Sequence, residues 1–268
     1  MRPPERHYRA DVLAAIIWGL IQGLTEFLPI SSSGHLVVIP AFLNEMGFDI
    51  EPPSLAVSAV LHLGTLVAVL VYFRSDVGKV LRFRSDPEGR KIALLVGIGT
   101  IPALVGLPLA DTLDEFQNTV SNVGWMLMLT GVILIFGQRL ATGSRTLIDG
   151  RIPDAIVVGI AQAFALIPGI SRSGITITAG NGRKFDPLQA ARFSFLLGIP
   201  AIAGGGLIQL LDLSGSGDLG LEVLVGGIVA AIAGYAAIAL LLTVMGRFGL
   251  MPFAIYCLLI GGLTVVVF

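Results

Sequence analysis

Charged residues are scarce in this sequence. Asp, Glu, Lys and Arg make up 13% of its 268 residues, whereas a soluble domain carries roughly a quarter. Hydrophobic residues account for 54%, and the mean hydropathy is +0.88. This composition excludes an ordinary soluble domain and is typical of an integral membrane protein. At roughly 20 residues per crossing, the length allows about six to eight crossings within one domain that spans residues 1–268.

The sequence also has little cysteine and a low net charge. Cys257 is the only cysteine and lies in an apolar run, which excludes an internal disulfide and a cysteine metal site. The formal net charge of −1 argues against nucleic acid as a partner, because phosphate backbones are bound by a concentrated basic face. N-terminal arginines precede an apolar stretch as in a signal peptide, but Gln22, Glu26 and Pro29 interrupt it. We therefore expect this stretch to belong to the mature protein.

Long apolar runs dominate what is present. Six uninterrupted runs predict ordinary transmembrane helices, at 55–73, 92–110, 121–138, 188–211, 221–244 and 250–268. Two further apolar segments, 12–43 and 154–180, are broken in the middle by Pro, Gly and Ser, and we expect each to form a re-entrant helix-turn-helix hairpin. Irregular backbone at membrane depth is tolerated only where it is buried in protein or lines a wet cavity. The two breaks therefore predict a functional site.

The two broken segments are copies of each other. Of the 22 positions in 15–36, eight are identical to the residue 140 positions later: Ala15/Ala155, Ile16/Ile156, Gly19/Gly159, Gln22/Gln162, Ile30/Ile170, Ser31/Ser171, Ser33/Ser173 and Gly34/Gly174. Short apolar stretches rich in Gly and Ser do resemble one another by chance. The shared glutamine within an apolar helix and the ordered Ser-x-Ser-Gly element favour an internal repeat.

Positive charge predicts the orientation. If six helices cross and both hairpins return to the side from which they enter, the basic loops share one face, at 74–91, 139–153, 183–187 and 245–249. That face is cytoplasmic by the positive-inside rule, with 74–91 against anionic lipid and both termini outside. The hairpins then enter from opposite sides, as inverted-topology repeats do, and their tips meet near the midplane. The expected fold is an all-α polytopic membrane protein with six transmembrane helices and two re-entrant hairpins.

The copies differ at the positions that carry chemistry. The first has a glutamate, a serine and a histidine where the second has a leucine, an arginine and an isoleucine, at Glu26/Leu166, Ser32/Arg172 and His35/Ile175. Charged groups inside a membrane cost several kcal/mol and usually mark a site or a pathway. A structural alternative is an ion pair between Glu26 and Arg172 that only fastens the hairpins together. Such a pair would explain neither His35 nor the surrounding serines.

These residues predict a phosphate site. Each Ser-x-Ser-Gly element opens a half-helix whose free N–H groups and positive dipole end favour an anion. Arg172 adds a planar fork suited to bidentate phosphate binding. Gln22, one turn before Glu26, would share with it a Mg²⁺ or Ca²⁺ ion that bridges phosphates. His35 could transfer protons, and Ser32 could attack phosphorus or position a water. The predicted substrate is a phosphate ester or anhydride with a lipid tail.

The same residues carry a resemblance to a known family. Residues 22–29 (QGLTEFLP), 31–35 (SSSGH) and 168–176 (PGISRSGIT) resemble the two signature motifs of the undecaprenyl-pyrophosphate phosphatases, the bacitracin-resistance family. The likeness extends through 191–197 and covers essentially the whole chain. It implies removal of the terminal phosphate of undecaprenyl pyrophosphate with a divalent metal, at the outer face of the plasma membrane. The product would re-enter peptidoglycan synthesis as lipid carrier, and the activity would confer bacitracin resistance.

The resemblance also implies roles for individual residues. Glu26 is the implied metal or acid/base carboxylate, Ser32 the candidate nucleophile, His35 its proton partner and Arg172 the phosphate clamp. The implied substrate-binding set adds the small polar and glycine residues of both motifs, namely Ser31, Ser33, Gly34, Ser171, Ser173, Gly174 and Thr176. The family's motif has Glu or Gln at position 22, and this chain has Gln, so we expect weaker metal binding than with two carboxylates. Whether Ser32, His35 or a water attacks phosphorus stays open.

Several alternatives remain at this level. A lipid or anion transporter would use the same inverted repeats, although it would need no nucleophile and proton-transfer pair. The other membrane lipid-phosphatase class requires a histidine after the arginine motif, and no histidine follows Arg172. His62 could face the site or be a hydrogen-bonded structural histidine. Arg192 is expected to extend its side chain towards the membrane surface. A homodimer is also left open.

Overall fold

The structure is a computed structural model that describes residues 4–106, 116, 118–212 and 220–268. In this part of the chain the regular elements are helices, and the only β-type contact is an isolated bridge between Arg145 and Phe185. In chain order the α-helices are α1 Pro4–Phe27, α2 Ser32–Glu45, α3 Leu55–Tyr72, α4 Arg74–Leu81, α5 Pro87–Gly106, α6 Val120–Leu140, α7 Ile152–Phe164, α8 Arg172–Gly182, α9 Pro187–Asp212, α10 Leu221–Phe248 and α11 Met251–Val267. A short 3-10 helix, Leu147–Asp149, lies between α6 and α7.

Each predicted apolar run contains a helix. Three helices are long and apolar enough to cross a membrane, at Val120–Leu140, Pro187–Leu207 and Leu221–Phe248, and a fourth candidate is the pair Val57–Tyr72 and Arg74–Leu81. Large apolar side chains cover the outside of the helices; Ile232 of α10 is 67% exposed and Val266 of α11 84%. The protein is therefore an all-α polytopic membrane protein. The run predicted at 92–110 is helical from Pro87 to Gly106, and residues 107–110 lie outside the described residues.

The two predicted breaks are present. Helix α1 ends at Phe27 and α2 begins at Ser32, while α7 ends at Phe164 and α8 begins at Arg172. Proline at 29 and 168 restricts the preceding residue to extended conformations, which ends a helix. Phe27 is fully buried and packs edge-on against Phe195 of α9, with ring centroids 5.7 Å apart. This contact fixes the end of α1, and with it the neighbouring Glu26.

Small residues allow the helices to approach closely. Helix α1 packs against α10, and α6 packs against α11. A methyl group on Gly23 would lie 2.6 Å from the Ala230 carbonyl oxygen and 2.6 Å from the Ala233 Cβ. Glycine therefore lets α1 rest directly on the backbone of α10. The first broken segment is thus attached to a long apolar helix.

The segment 74–91 departs from its prediction as a loop. It contains α4, which is bent by 84° from α3. Arg192, which was predicted to extend towards the membrane surface, has protein partners in this segment. Its guanidinium binds both oxygens of Asp76 in α4 and lies 3.1 Å from Glu88 Oε1 at the start of α5. Asp76 is only 8% exposed, and a carboxylate at such depth requires a partner charge.

Candidate active site

The two breaks lie against each other. The Ser173 hydroxyl donates to the Leu28 carbonyl oxygen over 3.3 Å. A methyl group on Gly34 would lie 3.3 Å from the Gly169 Cα, so the two glycine-containing turns are in close contact. Thr130 of α6 supports the second turn, because its hydroxyl donates to the Gly169 carbonyl at 2.9 Å and accepts from the Ser171 N–H at 3.1 Å. Residues 135 to 145 positions apart in the sequence thus meet at one place.

Both half-helices begin with the same cap. Ser31 Oγ accepts from the Gly34 N–H at 3.2 Å, and Ser171 Oγ accepts from the Gly174 N–H at 3.2 Å. Each capping serine also lies 3.3 Å from the hydroxyl of the serine two residues later. A serine N-cap satisfies one of the free N–H groups of the first turn. The repeated Ser-x-Ser-Gly element therefore encodes a helix start in each copy.

Glu26 is the centre of the polar network. Its Oε2 accepts hydrogen bonds from the Ser32 hydroxyl at 2.7 Å and from the Gln22 amide at 3.0 Å. Its Oε1 accepts from Arg172 Nη2 at 2.9 Å. The Glu26 side chain is 6% exposed and that of Arg172 15%, so this ion pair is shielded from solvent. The Ser32 hydroxyl is hydrogen-bonded to it. The predicted base, nucleophile and phosphate clamp are thereby brought together.

A cavity of about 220 Å³ opens beside this network. Its polar lining comes from both copies and consists of Glu26, Ser31, Ser32, Ser33, Ser171 and Arg172, with His62 from α3. Three pairs of equivalent positions of the repeat line it together: Glu26 and Leu166, Ser31 and Ser171, Ser32 and Arg172. Apolar residues of α9, including Ala201 and Ile202, complete the wall. The cavity is large enough for a phosphate group. Its polar groups are hydroxyl and charged side chains, which are the kinds of group that can bind phosphate.

Other predicted site residues lie behind the lining. Gln22, Ser173 and Thr176 are at most 1% exposed and are not among the residues that line the cavity. Thr176 donates to the Arg172 carbonyl at 2.7 Å and lies 2.7 Å from the Ser194 hydroxyl. Gly34 and Gly174 supply the capped N–H groups described above. These residues support the lining residues and do not contact the cavity themselves.

His35 and His62 occupy different environments. His35 is 3% exposed, and both ring nitrogens are engaged: Nδ1 lies 2.7 Å from the Ser31 carbonyl oxygen and Nε2 lies 2.8 Å from the Tyr256 hydroxyl. Its ring also stacks on Tyr256, with centroids 5.6 Å apart. His62 lines the cavity, with Nδ1 2.8 Å from the Ser58 carbonyl oxygen. The imidazole that faces the cavity is therefore that of His62.

Two supporting residues were missed by sequence reasoning. Thr130 is 1% exposed in α6 and Ser194 is 1% exposed in α9, and each bonds to a residue of the second motif. A hydroxyl within an apolar helix is the only signal either position offers. That signal does not name the partner, because Thr130 reaches Ser171 across 41 residues of sequence.

Comparison with known proteins gives one family. The family described as bacitracin resistance protein BacA matches residues 15–263. The undecaprenyl-diphosphatase of Halothermothrix orenii is 39% identical over 260 residues, which cover 96% of this chain and 98% of the relative. That of Methanosphaera stadtmanae is 39% identical with the same coverage. That of Desulforudis audaxviator is 41% identical over 257 residues, covering 94% of this chain and 95% of the relative. The chain therefore belongs to the bacitracin resistance protein BacA family.

Proposed function

We propose that the protein hydrolyses undecaprenyl diphosphate to undecaprenyl phosphate and inorganic phosphate. The observation that carries this function is Glu26, which holds a serine hydroxyl on one carboxylate oxygen and an arginine on the other, at the wall of a cavity. The relatives that align over nearly the whole chain are named undecaprenyl-diphosphatase. The transporter alternative finds no support among them. The product would return to cell-wall synthesis as lipid carrier, and its supply would confer bacitracin resistance.

Ser32 is the proposed nucleophile. As its Oγ attacks the terminal phosphorus, the hydroxyl proton passes to Glu26 Oε2, which already accepts it at 2.7 Å. A bond forms between Oγ and phosphorus, the bond from phosphorus to the bridging oxygen breaks, and undecaprenyl phosphate leaves. Water then attacks the phosphorus of the phosphoserine, the bond between Oγ and phosphorus breaks, and the proton on Glu26 returns to Ser32 Oγ. The phosphate leaves with both protons of the water. A carboxylate within hydrogen-bond reach of the hydroxyl is the geometry that a general base requires.

Arg172 and the two half-helix starts would hold the phosphate. The guanidinium donates to Glu26 through Nη2, while the buried Nη1 has no hydrogen-bond partner among the described residues. A buried donor without an acceptor costs free energy, and the Arg172 side chain itself lines the cavity. The first-turn N–H groups of α2 and α8 add positive dipole ends beside the capping serines. Phosphate charge that develops during transfer is stabilised by such fixed donors.

The donor groups fit a divalent cation that arrives with the substrate. Among the described residues, no group of three or more His, Cys, Asp and Glu side chains could hold a metal ion by itself. Mg²⁺ is commonly held by one or two carboxylates together with substrate phosphates, and Glu26 is the carboxylate of this cavity. Bound Mg²⁺ or Ca²⁺ would neutralise charge on the diphosphate. Gln22, the other predicted ligand, is fully buried and donates its amide to Glu26.

For the membrane arrangement we propose the inverted repeat with six crossings in the plasma membrane. Both termini then lie outside, and the cavity opens to the extracytoplasmic side. The positive-inside distribution supports this orientation. Equivalent positions of the two copies, such as Ser32 and Arg172, line the same cavity, which supports a pair of hairpins related by approximate symmetry.

Phosphate release from a polyprenyl diphosphate by the purified protein in detergent, with Mg²⁺ or Ca²⁺, tests this function. Glu26→Ala and Arg172→Ala should each lower kcat/KM by about 10²- to 10³-fold, as loss of a group that stabilises transition-state charge does. Glu45→Ala and Arg139→Ala are matched controls at exposed positions and should retain activity. Absence of phosphate release with either metal would contradict the proposed hydrolysis.

A further inference from the structure

His62 is a cavity group that the mechanism above does not use. It lies in α3, two turns from the N-terminal end, and lines the same cavity as Glu26, Ser32 and Arg172. Its Nδ1 is 2.8 Å from the Ser58 carbonyl oxygen. Since a carbonyl oxygen only accepts hydrogen bonds, Nδ1 carries the hydrogen and the neutral ring has its lone pair at Nε2. The Nε2 atom is therefore available to a ligand.

The position of His62 is fixed by its helix. The Thr65 hydroxyl donates to the His62 carbonyl at 2.8 Å, and Thr65 is fully buried. Two residues after His62 in α3, Gly64 packs on the backbone of Gly227 in α10. A backbone held in this way, with Nδ1 tied to Ser58, leaves the imidazole little freedom to turn. Metal-binding histidines are oriented in this manner, with the other ring N–H donated to a carbonyl or carboxylate.

We infer that His62 Nε2 is the second protein ligand, with the Glu26 carboxylate, of the divalent cation that accompanies the diphosphate. This inference rests on the proposed function. It assigns to His62 the place that the sequence predicted for Gln22, whose side chain is fully buried, donates to Glu26 and is absent from the cavity lining. Phosphate oxygens and water supply the remaining ligands, so the site is complete only with substrate or an analogue.

A nitrogen ligand changes the expected metal preference. Carboxylate and phosphate oxygens suit Mg²⁺, Ca²⁺ and Mn²⁺ alike, whereas imidazole favours transition metals. We therefore expect the wild-type protein with a diphosphate analogue to bind Mn²⁺ more tightly than Ca²⁺. His62→Gln replaces the nitrogen with an amide oxygen of similar reach, and it should bring the two affinities closer together.

Binding of Mn²⁺ and Ca²⁺ tests the inference without turnover. Full-length protein in detergent is titrated with each metal in the presence of methylenediphosphonate, with Mn²⁺ followed by electron paramagnetic resonance and Ca²⁺ by calorimetry. His62→Leu should weaken Mn²⁺ binding by at least about tenfold, since even changes to the partners of a metal ligand cost 10- to 100-fold. Glu45→Gln, which removes an exposed carboxylate, should leave Mn²⁺ affinity unchanged.

The outcomes separate this inference from the function on which it rests. Unchanged Mn²⁺ affinity in His62→Leu, or loss in Gln22→Leu alone, overturns the assignment of His62, while phosphate release by the wild type leaves the function intact. If His62→Leu does not fold, the His62→Gln protein decides: an unchanged ratio of Mn²⁺ to Ca²⁺ affinity overturns the inference and a reduced ratio supports it. If the wild-type protein binds Mn²⁺ but releases no phosphate, the proposed function is contradicted and the assignment of His62 is not.

Discussion

The two hairpin turns share their capping hydrogen bonds but differ in where the backbone bends. In the first turn the bend falls on the cap itself: Ser31 has φ 71° and ψ 102°, a conformation that residues with a side chain rarely adopt. In the second, Ser171 has an ordinary φ of −74°, and the left-handed conformation falls on Gly169 at φ 95°. A glycine therefore adopts the left-handed conformation in the second turn, whereas in the first turn a serine adopts it at a cost in backbone strain.

The chemistry differs between the copies as well. Ser32 and Arg172 occupy equivalent positions at the start of their helices and face one cavity, but the carboxylate is present only in the first copy, because Glu26 corresponds to Leu166. The repeat thus supplies two similar helix starts, and the differences between its copies supply the proposed nucleophile and the proposed phosphate clamp. A site that was symmetric in function would tolerate an exchange of the two side chains.

That exchange is expected to have the largest effect. The double variant Ser32→Arg, Arg172→Ser keeps the same set of side chains in the cavity. Glu26, the carboxylate of the cavity, then lies six residues before the arginine at position 32 and far from the short serine at position 172. We expect kcat/KM for phosphate release to fall by about 10³-fold, no better than either single variant, as for residues that act as a unit. Elution on gel filtration checks folding. Recovery of activity in the double variant relative to the singles would show a symmetric site.

The breaks could be predicted from sequence because they are local. Proline and the Ser-x-Ser-Gly element are separated by only a few residues, and the helix ends at Phe27 and Phe164 and the caps at Ser31 and Ser171 follow from them. The pairing of Glu26 with Arg172 was considered from sequence as a structural alternative to catalysis. The structure shows that this pair and the Ser32 hydroxyl belong to one hydrogen-bonded network.

The partners of the histidines could not be predicted in this way. His35 precedes Tyr256 by 221 residues, and whether His62 faces the cavity depends on the rotation of α3, which an apolar run without amphipathic pattern does not define. The helix α4 was missed because its basic residues and short length suggest a loop. Arg192 binds Asp76 and Glu88 in this region. More than a hundred residues of sequence separate it from each of them.

Gly169→Ala should destabilise the second turn. At φ 95° an alanine costs about 1–2 kcal/mol, and its Cβ would lie 2.6 Å from the Met126 Cβ and 2.8 Å from the Val123 carbonyl oxygen. Together with overpacking we expect about 3 kcal/mol. Gly47→Ala is the matched control, since Gly47 has φ 88° and nothing within 4 Å of the added Cβ. Thermal unfolding in detergent should show the larger loss for Gly169→Ala; equal losses would mean that packing at Met126 contributes nothing.

A buried carboxylate holds the base of the second hairpin, and its equivalent position in the first copy is an alanine. Asp154 is fully buried and accepts from Arg145 Nη2 at 2.7 Å and Arg183 Nε at 2.6 Å, which joins the start of α7 to the end of α8. Asp154→Asn should cost about 2 kcal/mol, as loss of hydrogen bonds between charged groups does. The equivalent position of the first copy is the exposed Ala14, where Ala14→Asn should not change the melting temperature. An unchanged melting temperature for Asp154→Asn would remove this difference between the hairpins.

The strain at Ser31 predicts opposite effects of one substitution in the two turns. A glycine cap costs only a few tenths of a kcal/mol relative to serine, and its greater freedom in the unfolded chain costs about 0.4–1 kcal/mol. At Ser171 nothing offsets these costs, so Ser171→Gly should destabilise by about 1 kcal/mol. At Ser31 the relief of backbone strain is of order 1–3 kcal/mol, so Ser31→Gly should leave the melting temperature unchanged or raise it. Equal destabilisation by both variants would show that Ser31 carries no strain, and the two turns would then differ only in their chemistry.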